Sequence, residues 1–184
     1  MITGAHIAEV AEHCGLIGTP YSELDCQAFV EEVLQRTGLK IINYRGSNHM
    51  WRELVYDRHL IVNNDIPIGA LVFIVRFDGG EKKRGYHDAM GNATHVGIYL
   101  GKGQVIHSTT GGVQYGKLSR FTDYAIIKDV DYDNKGDENN ESNSGQGSTD
   151  KLQELKRNIM TFINSIHSDL DALEEFIDDV FRDS

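Results

Sequence analysis

One cysteine and two histidines are the residues of this chain best suited to carry out chemistry. Cys26 directly follows Asp25 and begins an apolar pattern with helical spacing. His95 and His107 come much later, in two β-rich segments separated by the short sequence Gly101-Lys-Gly103. A thiol nucleophile, an imidazole base and a polar group that orients the base are the parts of cysteine-dependent acyl transfer. These three residues therefore predict a nucleophilic catalytic site.

The position of Cys26 matters more than its residue type. A lone cysteine at helical spacing is usually a small buried apolar residue. Asp25, however, is a favourable N-cap, so Cys26 is expected in the first turn of a helix. There the thiolate would face unpaired backbone N–H groups and the positive end of the helix dipole, which lower a thiol pKa. The same N–H groups can stabilise a developing oxyanion.

The register of the predicted hairpin decides whether the two histidines meet. A three-residue turn at 101–103 would place Leu100 opposite Gln104, and His107 opposite Gly97. His95 and His107 would then be diagonal neighbours on one face of the sheet, with space left between them by the glycine. A two-residue turn would instead place the histidines on opposite faces.

The remaining pattern predicts an α+β fold, with helices first and an antiparallel sheet after them. Thr3 caps a first helix, and Gly38 ends the helix that Cys26 begins. A shorter helix starts near Asn48, with Met50, Trp51, Leu54 and Val55 on its apolar side. After Pro67 the spacing becomes that of strands. We expect strands at about 70–77, 95–100, 104–109 and 124–130.

The C-terminal part of the chain has a different composition. Residues 131–150 are acidic and polar with no aliphatic side chain, which predicts a disordered linker. Residues 151–184 carry apolar residues at three- and four-residue steps, which predicts one amphipathic helix. A basic first half and an acidic second half favour antiparallel self-association or docking to a partner, whereas packing on its own domain is the alternative. The predicted domains are therefore 1–130, 131–150 and 151–184.

Composition limits the classes of partner. The net charge of −10 argues against nucleic acid and against an anionic membrane surface. No stretch approaches the roughly 20 apolar residues of a membrane span. The N-terminus lacks the pattern of a signal peptide, which predicts synthesis in the cytoplasm. A zinc site built from Cys26, His95 and His107 is conceivable, although the spacing of common zinc motifs is missing.

Several segments resemble the NlpC-type cell-wall endopeptidases, a papain-like family. They are Gly18-Thr-Pro-Tyr21, Asp25-Cys26-x-x-Phe29-Val30, His95-Val-Gly-Ile-Tyr-Leu-Gly101 and Ile106-His107. Residues 45–51 and 77–81 are similar to segments of phage-borne members. The chain departs from the family where Gln27-Ala28 replaces the usual Ser-Gly, and where the glycine-rich stretch before the cysteine is missing.

The resemblance implies a papain-like fold and a role for each matched residue. Cys26 would be the nucleophile, His95 the general base and acid, and His107 the orienter of His95. Tyr21 would shape the oxyanion and substrate site, and Asp25 would hold the amino end of the substrate. The implied substrate is a peptidoglycan stem peptide, cut between γ-D-glutamyl and a diamino acid through a thioester, and the implied reaction needs no cofactor. A protein made in the cytoplasm would have to be released, or be carried by a phage particle, to act on the cell wall.

Two alternatives to this peptidase are compatible with the same residues. One is an amidase or acyltransferase of the same superfamily. The other is a structural or adaptor protein, associated with a virion or another assembly, that retains the fold without activity.

Overall fold

A computed structural model describes residues 1–77, 86 and 88–132 of the chain. Two compact units are distinguished; the described residues of the first are 1–75 and 93–132, and those of the second are 76, 77, 86 and 88–92. In the second unit, the Asn92 side chain accepts a hydrogen bond from the Tyr86 N–H at 2.8 Å and donates one to the Tyr86 carbonyl at 2.6 Å.

The described elements follow the predicted order of helices first and strands afterwards. They are β1 (Ile2–Thr3), α1 (Gly4–His13), α2 (Cys26–Arg36), α3 (Ser47–Glu53), β2 (Val55–Leu60), β3 (Leu71–Arg76), β4 (Asn92–Gly101), β5 (Gln104–Thr109), β6 (Gly112–Lys117), a 3₁₀ turn (Leu118–Arg120), β7 (Asp123–Ile127) and β8 (Val130–Asp131).

Local capping defines where the first two helices begin. The Thr3 side chain accepts a hydrogen bond from the His6 N–H at 3.1 Å, and Asp25 Oδ1 accepts one from the Ala28 N–H at 2.8 Å. Both caps satisfy backbone donors that a helix start leaves unpaired. The N-terminus of α2 therefore lies at Cys26, as the sequence predicts.

The six strands of the main sheet lie in the order β2-β7-β3-β4-β5-β6, and β1 pairs in parallel with β8. This arrangement confirms the predicted α+β class. The inward face of α2 is fully buried at Phe29, Val30, Val33 and Leu34. A further buried cluster consists of Ile66, Ala70, Val72, Tyr99, Val105, Leu118 and Phe121. Burial of each large apolar side chain contributes about 1.5–3 kcal/mol.

Two strands of the main sheet, β2 and β6, were not predicted from the sequence, nor was the short β1–β8 pair. Val55 was assigned to the apolar side of the third helix, but it begins β2. Arg58 explains the early end of that helix, because its guanidinium donates to the carbonyls of Trp51, Arg52 and Val55. Strand β6 was also missed, because no strand was expected between residues 109 and 124.

The linker predicted at 131–150 and the amphipathic helix predicted at 151–184 lie, apart from residues 131 and 132, outside the described residues. The predicted domain boundaries stay predictions. Within the described part of the chain, no helix has the length and apolar character needed to cross a membrane.

Candidate active site

Cys26 occupies the first position of α2, where the Asp25 cap fixes the start of the helix. Its side chain is buried, with 6% of the residue exposed. The backbone N–H of Val96, on β4, and that of Gln27, at the start of α2, act to lower the pKa of the thiol. Burial is the largest influence and acts in the opposite direction, with a smaller contribution from the Asp25 charge.

The prediction that the Cys26 thiol has a lowered pKa is wrong. Burial raises the pKa of Cys26 above its ordinary value, because removing the thiolate from water costs more than the surrounding donors return. The thiol is therefore neutral at rest and needs a base to become a nucleophile.

Tyr21 lies beside Cys26 and interacts with its side chain. Burial, the negative charge of the thiolate and the hydrogen bond to the Cys26 side chain raise the pKa of Tyr21 to about 12. The Asp25 charge acts in the same direction, whereas the Cys26 backbone lowers the pKa slightly. The phenol thus stays protonated and can donate a hydrogen bond next to Cys26.

The loop that carries Tyr21 is fastened to the edge of the sheet. Ser108 Oγ donates to the Leu24 carbonyl at 2.5 Å, and the Val113 N–H donates to the Thr19 carbonyl at 3.0 Å. Gly112 permits this approach, since a Cβ at that position would lie 2.7 Å from the Thr19 carbonyl oxygen. These contacts bring residues 18–25 to the strands that carry the histidines.

The hairpin of β4 and β5 reaches the predicted arrangement by a different turn. Gly101 pairs with Gln104, so the turn is Lys102-Gly103, and both residues have positive φ (51° and 74°). The predicted three-residue turn is therefore wrong. One extra residue in β4, a bulge between Tyr99 and Gly101, restores the register, and Ile98 pairs with Ile106.

This register places both imidazoles on one face of the sheet. His95 Nε2 and His107 Nδ1 are 2.7 Å apart, a hydrogen-bond distance. If His95 Nε2 carries the proton and donates a hydrogen bond to His107 Nδ1, the other His95 nitrogen, Nδ1, has no proton and can accept one. The pair can thus present a neutral imidazole base whose tautomer is fixed by its neighbour.

Two glycines make room for the His107 ring. A Cβ on Gly97 would lie 3.0 Å from His107 Cβ and 2.8 Å from Val105 Cγ1. A Cβ on Gly116 would lie 2.5 Å from His107 Nε2. The role of Gly97 was predicted from the hairpin register. Gly116 was missed, since it acts across a β5–β6 pairing that the sequence did not reveal.

Phe121 completes the surroundings of the two imidazoles. Its ring stacks on His95 with centroids 5.8 Å apart and meets His107 edge-on at 5.5 Å. Burial and the neighbouring His107 lower the pKa of His95 to about 4. Burial also lowers the pKa of His107, with a smaller contribution from the Arg120 charge. Both rings are therefore neutral near pH 7.

The predicted site residues form two interacting groups in the structure. Tyr21, Asp25 and Cys26 interact with one another, and His95 interacts with His107. Among the described residues no hydrogen bond joins Cys26 Sγ to His95. Val96, which follows His95 in the chain, instead interacts with the thiol through its backbone N–H. No group of three or more possible ligands in the described part of the chain could hold a metal ion.

Comparison with known proteins gives a family and several solved structures. The model of the NlpC/P60 family matches residues 13–127, which confirms the predicted resemblance. The NlpC/p60 domain of the peptidoglycan hydrolase SagA is 29% identical over 68% of this chain and 98% of that domain, with a TM-score of 0.48.

Two other structures are more distant in sequence. NlpC1 from Trichomonas vaginalis is 21% identical over 70% of this chain and 44% of its own length, with a TM-score of 0.46. An NlpC/P60 family protein from Bacillus cereus ATCC 10987 is 20% identical over 68% of this chain and 40% of its own, with a TM-score of 0.49. A comparison with curated proteins gives no match.

Proposed function

The chain belongs to the NlpC/P60 family and is a cysteine-type peptidoglycan hydrolase, and from that premise we propose how it cuts its substrate. Cys26 is the nucleophile, His95 the general base and acid, and His107 the orienter of His95. The bond cut is an amide of a stem peptide, between γ-D-glutamyl and a diamino acid. The 2.7 Å contact between His95 Nε2 and His107 Nδ1 is the observation that carries the proposal.

The first half of the reaction forms a thioester. His95 takes the thiol proton on the ring nitrogen that does not face His107, and Cys26 Sγ attacks the carbonyl carbon of the substrate. The resulting oxyanion is stabilised by backbone N–H groups at the start of α2 and by the Tyr21 hydroxyl. The C–N bond then breaks, and His95 returns the proton to the departing amine.

The second half releases the acyl group. Water enters, His95 takes its proton, and the hydroxide attacks the thioester carbon. The C–S bond breaks, and the thiolate recovers the proton from His95. The first half needs a base because the Cys26 pKa is raised, and the second half needs one because water must lose a proton to attack. His95 can accept these protons because its lowered pKa, about 4, leaves it unprotonated near pH 7.

Asp25 supports the proposed position of the substrate. One carboxylate oxygen, Oδ1, caps the Ala28 N–H at 2.8 Å. The other oxygen can accept a hydrogen bond from a cationic amine of a bound peptide. An amine beside Cys26 would place a short peptide with a free amino end across the nucleophile, as stem-peptide cleavage near that end requires.

Mass spectrometry of products tests the proposal. Defined stem peptides and purified sacculi digests are incubated with wild type, Cys26→Ala and His95→Ala. We expect cleavage of the γ-D-glutamyl–diamino acid bond by wild type and none by Cys26→Ala. Cleavage at another amide would overturn the proposed bond, and undiminished cleavage by Cys26→Ala would overturn the nucleophile.

A further inference from the structure

The first turn of α3 is hydrogen-bonded on two sides, to α2 and to β4. These bonds begin beside the nucleophile and end near the base. They involve the Gln27 side chain, the Gly46 N–H, the side chains of Ser47 and Asn48, and the backbone of Ala93. From the sequence, Gln27 stood out only as a departure from the family, and none of the others was given a role in the site.

On the α2 side, Gln27 follows Cys26 and is buried, with 9% of the residue exposed. Its Oε1 accepts a hydrogen bond from the Gly46 N–H at 3.0 Å. Gly46 is the N-cap of α3 and has no side chain to make a cap bond of its own. The start of α3 is therefore tied to the residue next to the nucleophile.

On the β4 side, two side chains hold both polar groups of one backbone residue. Ser47 Oγ donates to the Ala93 carbonyl at 2.9 Å, and Asn48 Oδ1 accepts from the Ala93 N–H at 3.0 Å. Ser47 and Ala93 are buried. Two bonds to one peptide segment fix its position and its rotation, and Ala93 lies only two residues before His95.

We propose that Gln27, Ser47 and Asn48 are positioning residues that set the separation between Cys26 and His95. This inference rests on the proposed function. No described hydrogen bond joins the nucleophile to its base, whereas this path ties the immediate neighbour of Cys26 to the strand that carries the base. The two bonds in which a side chain accepts from a backbone N–H are partly buried, so removing the acceptor leaves a partly buried donor without this partner.

The expected effect is on rate more than on binding. Loss of near-attack geometry by about 1 Å can reduce a rate on the order of 100-fold. A shift of His95 relative to Cys26 should therefore lower kcat while KM changes little. The rate of Cys26 alkylation at neutral pH should fall too, because proton transfer to His95 is needed to form the thiolate.

Isosteric variants of the full chain separate these effects. Gln27→Met and Asn48→Leu remove the accepting oxygen and keep the side-chain size, whereas Asn48→Asp retains an oxygen at that position. Glu31→Met is the matched control, because Glu31 Oε1 accepts the Tyr44 N–H at 2.5 Å from a later turn of the same helix. The readouts are kcat and KM on a stem peptide, iodoacetamide alkylation of Cys26, and Tm.

We expect a 10- to 100-fold lower kcat and slower alkylation in Gln27→Met and Asn48→Leu, on the order of the cost of misplacement. Asn48→Asp should recover most of the rate. Glu31→Met should lower only Tm. In a His95→Ala background, Gln27→Met should slow alkylation no further, because the base it positions is gone.

Different results would show that the proposed function fails and that only the positioning inference fails. If alkylation in wild type and His95→Ala is equally fast, the proposed function fails. If those two differ, but folded Gln27→Met and Asn48→Leu keep the wild-type kcat and alkylation rate, the positioning inference alone is overturned. An equal loss of kcat in Glu31→Met would also overturn it, since the effect would then be one of general stability.

Discussion

The helix end that carries Cys26 and the hairpin that carries the histidines are built in different ways. Cys26 is placed by a cap bond between residues three apart, Asp25 and Ala28. His95 and His107 are placed by a bulge, by two glycines and by Phe121 from beyond the next strand. The position of Cys26 thus depends on local sequence, whereas the positions of the two histidines depend on contacts between distant segments.

Burial favours the neutral form of the titratable side chain in both regions. It raises the pKa of the Cys26 thiol and lowers the pKa of His95 to about 4. Each group is pushed toward its neutral form. A neutral thiol and a neutral imidazole support the proposal that His95 acts as a base during the reaction rather than as a preformed cation.

The largest expected effect comes from crowding the hairpin. Gly116→Ala would place a methyl group 2.5 Å from His107 Nε2, which displaces the ring that orients His95. We expect kcat to fall on the order of 100-fold, measured by stem-peptide hydrolysis. Gly111→Ala is the control, because its Cβ would meet nothing closer than 3.4 Å. Full activity in Gly116→Ala would show that the position of His107 is not critical.

A smaller effect is expected at the helix end. Asp25→Ala removes the cap of α2 and should cost about 1 kcal/mol in the free energy of unfolding. Asp25→Asn retains an oxygen for the Ala28 N–H and removes the charge that raises the thiol pKa.

The two Asp25 variants should therefore separate in a denaturation and alkylation experiment. Asp25→Asn should keep near wild-type stability and alkylate faster at pH 7, by less than about tenfold. Thr3→Ala, which removes the cap of α1, should lower stability without changing alkylation. Slower alkylation in Asp25→Asn would mean that the Asp25 charge does not raise the thiol pKa.

Removing the Phe121 ring should change the pH dependence of activity. Phe121→Leu removes the ring stacked on His95 and admits water, which favours the charged imidazolium. The pKa of His95 should rise from about 4 toward its ordinary value. Since the imidazolium cannot accept a proton, activity should be lost at a higher pH during acidification, by about one pH unit.

The pH profile of kcat/KM measures this shift. Phe73→Leu is the control, because Phe73 is a buried phenylalanine packed against Trp51, with ring centroids 5.0 Å apart. An acid limb that moves equally in both variants would contradict a specific role for Phe121.

The contrast between helix end and hairpin also explains what the sequence could predict. The caps at Thr3 and Asp25 and the buried face of α2 follow from residues within one or two helical turns, and these predictions are confirmed. The shared face of His95 and His107 was predicted with the wrong turn, because a two-residue turn and a one-residue bulge have compensating effects on register.

Other features could not be predicted because they depend on distant residues. Phe121 and Gly116 reach the imidazoles only when β6 and the following turn fold against β5. The raised thiol pKa has the same origin, since the helix start is visible in the sequence but the burial that outweighs it is not. The self-association predicted for residues 151–184 stays a prediction.

Trapping the acyl-enzyme tests the central claim, that Cys26 forms a thioester with His95 as the base. Wild type is mixed with a stem peptide, quenched in acid within one turnover, and analysed by intact mass and peptide mapping. We predict an adduct with the mass of the acyl fragment on the peptide that contains Cys26, absent from Cys26→Ala and strongly reduced in His95→Ala. Turnover without any adduct, at a rate that Cys26→Ala retains, would contradict this mechanism.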